Sequence, residues 1–143
     1  MTSFVLALIT ALLWGIAPII EKIALGSKID PATAVVFRTV GSALGGLVLF
    51  AFLMSSENTA AHFKNANYKT VLMIVAAGLI ASVLGQIFFY GALQSGQASV
   101  AVPVAGAFPL ITFVLGVLLL GETVTLQKVA GVLLVISGVI LLK

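Results

Sequence analysis

Apolar residues run in five long blocks, 4–25, 32–53, 70–93, 98–120 and 126–142, with short polar connections between them. Each block holds about 20 residues, and at about 1.5 Å per residue a helix of that length spans a hydrocarbon core of roughly 30 Å. Unpaired backbone groups are too costly in lipid, and the short alternating segments of a β-barrel are absent, so helices are the spanning element. The pattern predicts an all-α, polytopic membrane protein: one domain over 1–143 with five transmembrane helices. The first block is too long for the apolar region of a secretory signal, lacks a basic leader and is followed by four more spans, so it reads as a retained helix.

The connections are short except one. Asp30 followed by Pro31 suits the start of the second helix, and Thr125 suits the cap of the fifth. The segment 54–69 is the longest polar stretch and holds the single histidine, His62, beside Glu57, Lys64 and Lys69. With no second imidazole and no cysteine in the chain, it reads as a solvated loop, with no metal site and no cofactor. The turns at 94–97 and 121–125 are tight.

Composition agrees with a bilayer as solvent: 62% of residues are hydrophobic and 8% charged. The formal net charge of +3 fits loops that face anionic lipid, and nucleic acid is not an expected partner. Counting Lys and Arg by side puts Lys64, Lys69 and Lys128 on one face of the five-helix array. Lys22, Lys28 and Lys143 fall on the other, with Arg38 added if it reaches that interface. This near balance predicts insertion in both orientations. Two opposed copies would form an antiparallel, dual-topology homodimer of ten helices, the inverted-repeat design of secondary transporters. Loop length or the N-terminal amine could instead impose one orientation.

Polar, aromatic and helix-breaking residues far from the span ends are candidates to line a cavity. Thr10, Trp14 and Pro18 follow at four-residue steps on one face of the first helix, and a kink at Pro18 would open a groove beside the indole. Ser82, Gln86 and Tyr90 repeat that spacing in the third helix, where polar groups should face protein or water. The fourth helix carries Pro103 and Pro109, with Thr112 in the next turn, and each proline frees a carbonyl that needs a partner. Interhelical hydrogen bonding and aromatic residues of the interface belt account for the same residues, and both roles stay open.

Small residues mark close helix contacts: Gly41 and Gly45, Ser42 and Gly46, then Ala77, Ala81 and Gly85, all fitting packing within one chain. Gly131 and Gly138, one heptad apart with Ser137 on an otherwise Leu, Val and Ile helix, are candidates for packing between opposed copies. Glu21, Lys22 and Arg38 lie on the same side near span ends, as a possible charged gate or as interfacial anchors. Glu122 is placed to favour the start of the fifth helix through its dipole. A mid-membrane carboxylate, the usual proton relay, is missing, so the sequence predicts facilitated exchange or coupling through a site it does not reveal.

The C-terminal half carries a resemblance. Tyr90, Gly91, Ala92 and Leu93, then Ala98, Ser99 and Val100, then Phe108, Pro109 and Leu110, then the run LGETVTLQKVAGVLLVISGVILL from Leu120 to Leu142 resemble the EamA family of the drug/metabolite transporter superfamily. Trp14, Gly15 and Lys22 in the first helix and Arg38 in the second sit where that family carries the same residue types. The resemblance covers essentially the whole chain as a single half-size unit. It implies one EamA-type inverted-repeat unit, and a transporter that moves a metabolite, amino acid or drug-like compound by alternating access. Most members hold two units of opposite topology in one polypeptide, so a single unit implies a partner: a second copy, or a half-size paralogue of opposite orientation.

Three classes follow. The first is a secondary transporter of a small organic solute in a prokaryotic plasma (inner) membrane. The second is a membrane subunit that works only with an oppositely oriented half-transporter. An integral membrane enzyme finds little support, because no His, Cys or acidic cluster supplies a nucleophile or metal site.

Overall fold

The computed structural model describes residues 3–26, 29–55, 59, 61, 63 and 65–142. Lys28, Glu57, His62, Lys64 and Lys143, used above in counting charge or reading the long loop, lie outside them. The described residues are helical with no strand: α1 (Ser3–Leu25), α2 (Pro31–Met54), α3 (Tyr68–Ser95), α4 (Ala98–Ala105), α5 (Phe108–Leu120) and α6 (Leu126–Leu141). Four spans, with α4 and α5 counted together, are long and apolar enough to cross a membrane; α6 is shorter, at 16 residues. The protein is an all-α, multi-pass membrane protein.

Side chains set the helix starts. The Asp30 carboxylate accepts the Thr33 amide at 3.0 Å, with Pro31 in the first turn where no N–H is required. Asn67 accepts the Lys69 amide at 2.9 Å and Thr125 the Lys128 amide at 3.2 Å. At the end of α5, Gly121 adopts φ 67°, the left-handed conformation that costs glycine no side-chain clash.

Two spans depart from regular helix. Within α3, Ile80–Leu84 forms a π turn, closed by the Gly85 amide on the Ile80 carbonyl. An ideal Cβ on Gly85 would sit 3.3 Å from that same oxygen, so the absence of a side chain lets the wide turn close. The fourth span, expected as one helix over 98–120, is two helices meeting at Gly106 and Ala107. Pro109 explains the break: it has no amide for the carbonyl four residues back, its ring crowds that carbonyl, and it restricts Phe108. Pro103 is accommodated inside α4.

The chain divides into two compact units, Met1–Lys22 with Ser95–Lys143, and Ile23–Gln94. In the first, α5 and α6 pack together. In the second, α2 touches the π turn of α3, and Leu25, Val35, Tyr90 and Leu93 are the buried apolar residues. There the Gln94 amide donates to the Ile29 carbonyl at 2.9 Å, which holds the start of the 29–30 connection. Most other large apolar side chains point outward, as lipid-facing helices require.

Candidate functional site

The predicted cavity residues take distinct environments. In α1, Pro18 is buried inside a continuous helix while Trp14 is 65% exposed, and the Thr10 hydroxyl donates to the Leu6 carbonyl at 2.9 Å on its own helix. In α3, Ser82 lies in the π turn and is exposed, Gln86 is half-buried, and Tyr90 is only 3% exposed, its ring 6.5 Å from that of Phe89. An i→i+5 turn holds one residue more than an α turn, which sets the flanking segments about 100° out of the register of an uninterrupted helix. The four-residue spacing from Ser82 to Gln86 therefore does not carry the face expected of a regular α-helix.

The fourth span places Pro103, Pro109 and Thr112 around its break. All three are exposed, and the Thr112 hydroxyl donates to the Phe108 carbonyl at 3.3 Å. The backbone bonds at the break run from Gly106 to Val102, from Ala107 to Val104 and from Leu110 to Ala107, at 2.7, 3.2 and 2.9 Å. None reaches the Ala105 carbonyl.

Between α5 and α6 lies an open groove of about 420 Å³, with Pro109, Leu110 and Phe113 on one side and Gly131, Val132 and Val135 on the other. Its polar end is formed by Glu122 and Lys128. This groove brings together Pro109, predicted for a cavity, and Gly131, predicted for packing between copies, and adds Leu110, Phe113 and Lys128, which the sequence did not mark as lining a site. The Glu122 carboxyl folds back against Gly116: an ideal Cβ there would meet its Cδ at 3.3 Å. Glu122 therefore reaches the end of α5 as well as the first turn of α6, where Lys128 Nζ lies 3.7 Å from its carboxylate and donates to the Thr123 carbonyl at 2.9 Å.

Gly131 and Gly138 both lie exposed on α6, and a Cβ at either would meet nothing within 4 Å. Glu21, Lys22 and Arg38 are half-buried. Lys22 Nζ donates to the Gly96 carbonyl at 2.6 Å, joining the last turn of α1 to the turn between the third and fourth spans. Among the described residues no cluster of three metal-ligating side chains occurs.

These features define a multi-pass membrane protein with interrupted helices, the architecture in which solute carriers place their sites. The model of the EamA-like transporter family matches residues 1–143, and the chain belongs to that family. It is 28% identical over 144 residues to an uncharacterized protein of Methanocaldococcus jannaschii, covering 99% of this chain and 96% of that one. An uncharacterized transporter of Bacillus subtilis is 30% identical over 139 residues, 96% of this chain but 43% of its own length. A WAT1-related protein of Arabidopsis thaliana is 32% identical over 115 residues, 80% of this chain and 32% of its own. The chain thus spans less than half of these two longer relatives. No solved structure matches it.

Proposed function

We propose that the chain is a secondary transporter, without enzymatic activity, that moves a small organic solute by alternating access as an antiparallel dual-topology homodimer in a prokaryotic plasma membrane. Membership of a transporter family carries the reading. The M. jannaschii relative, matched over 96% of its length by one such unit, supports a single unit as the working building block. Relatives from an archaeon and a bacterium support the membrane.

The sixth helix supports the dimer. Its exposed Gly131 and Gly138 allow a second helix to approach closely. The interrupted third and fourth spans supply backbone groups that a packed carrier can turn toward a solute.

The chain contains no cysteine, so Asn65→Cys introduces a single labelling site in the connection before α3. Intact cells would be treated with a membrane-impermeant thiol reagent and compared with lysed cells. About half labelling is expected. Complete labelling, or none, would reject the antiparallel homodimer and favour a subunit that needs an oppositely oriented half-size partner. Solute counterflow by the purified chain in liposomes separates those readings again, because the lone subunit would not transport.

A further inference from the structure

We propose that the Ala105 carbonyl, at the break of the fourth span, is the hydrogen-bond acceptor for an uncharged N–H or O–H group of the transported solute; this deepens, and rests on, the transporter reading above. In an uninterrupted helix this oxygen would accept from residue 109, and residue 109 is proline. The hydrogen bonds made at the break end on Val102, Val104 and Ala107. The oxygen therefore lacks the donor that a regular helix would supply, at the middle of a span, where an unsatisfied carbonyl costs several kcal/mol in hydrocarbon.

The surroundings leave it accessible. Val104, Ala105, Gly106, Phe108 and Pro109 are exposed, and no side chain longer than valine stands between Pro103 and Phe108. A side chain on Gly106 is disfavoured, because its Cβ would lie 3.1 Å from the Val102 carbonyl and 3.4 Å from that of Pro103. The bend therefore stays bare.

Charge selects the class of donor. The segment 98–120 contains no charged residue, so an isolated ammonium would enter without a counter-ion, at a cost that a neutral donor avoids. The C-terminal end of α4 and the N-terminal end of α5 meet here, and their opposite partial charges leave little net field to favour an ion. An amide or hydroxyl group suits such a site.

The sequence permits a direct test. Labelling alanine with ¹³C at the carbonyl and glycine with ¹⁵N leaves three Ala–Gly pairs, ending at Gly78, Gly106 and Gly131, and Ala105→Ser removes and so assigns the middle one. The whole chain in lipid nanodiscs would be titrated with N-methylacetamide and with N,N-dimethylacetamide, which lacks the donor. A saturable shift of the Ala105 carbonyl resonance is expected with the first probe and not the second. Pro109→Ala supplies the missing N–H and should weaken the response at least tenfold. Pro103→Ala, whose freed carbonyl is that of Ser99, should preserve it and serves if Pro109→Ala does not fold.

Equal responses to both probes, no saturable response, or loss of it in Pro103→Ala would overturn the site. Counterflow of labelled N-methylacetamide in liposomes is read separately. Transport without a shift at Ala105 would remove the site and keep the transporter; a shift without transport would keep the site and remove the transporter.

Discussion

Lys22 and Gly96 are 74 positions apart in sequence, yet the Lys22 Nζ donates to the Gly96 carbonyl at 2.6 Å. The head of a charged side chain in the last turn of an apolar helix thus reaches a turn carbonyl at the span end. Replacing Lys22 by methionine keeps the stem and removes the donor, and should cost about 1 kcal/mol. Lys22→Arg, which retains a donor, should cost less. Thermal unfolding of the purified chain in one detergent, ranked Lys22, then Arg, then Met, checks the order; a Met variant as stable as the parent would show that the tie contributes nothing.

The π turn predicts a reversal of the usual glycine rule. Alanine is a better helix former than glycine by about 1 kcal/mol, and at Gly78, with nothing within 4 Å of its Cβ position, Gly78→Ala should be neutral or stabilising. At Gly85 the new Cβ would meet the Ile80 carbonyl at 3.3 Å, so Gly85→Ala should be destabilising, with about 1–2 kcal/mol between the two variants. Denaturation of both in one detergent, with amide hydrogen exchange over 79–86, measures this. Equal stability and unchanged exchange would mean that the turn closes regardless of the side chain.

Much of the architecture was legible in the hydrophobic blocks, because bilayer thickness fixes the length of a span and backbone desolvation fixes its type. The caps at Asp30 and Thr125 were legible for the same kind of local reason, a side-chain oxygen placed three residues before an unpaired amide. Pro109 announced that a carbonyl would be freed, but not that the whole span would separate into α4 and α5. The π turn has no such signal: the spacing of Gly85 from Ala77 and Ala81 predicts helix contact, whereas its close neighbour is a backbone oxygen of its own helix. Nor did periodicity show the groove between α5 and α6, since Leu110, Phe113 and Val132 look like any lipid-facing residue until the corner at Gly121 turns one helix back on the other.

That corner makes a prediction about Gly121 itself. Its φ of 67° costs a residue with a side chain roughly 1–2 kcal/mol, and asparagine less than alanine because its side chain bonds locally. Gly121→Ala should lower the unfolding midpoint, with Gly121→Asn intermediate. A midpoint unchanged in the alanine variant would show that the connection between α5 and α6 can relax to another turn.

The contact between Gly116 and Glu122 predicts coupling between two substitutions. Gly116 is buried, and a methyl group there would meet the Glu122 Cδ at 3.3 Å and both carboxyl oxygens at 3.4 and 3.5 Å, so Gly116→Ala should forfeit the gain of about 1 kcal/mol that alanine brings to an open helix position. Glu122→Ala alone loses the approach of Lys128 at 3.7 Å, an exposed pair of small worth. In the double variant the space vacated by the carboxyl admits the new methyl. The combined effect should then be smaller than the sum of the two by more than the roughly 0.5 kcal/mol within which independent sites add. Four unfolding curves complete the cycle, and strict additivity would mean that the Glu122 side chain swings away from Gly116 at little cost, leaving the corner to be held by Gly121 and the Thr125 cap.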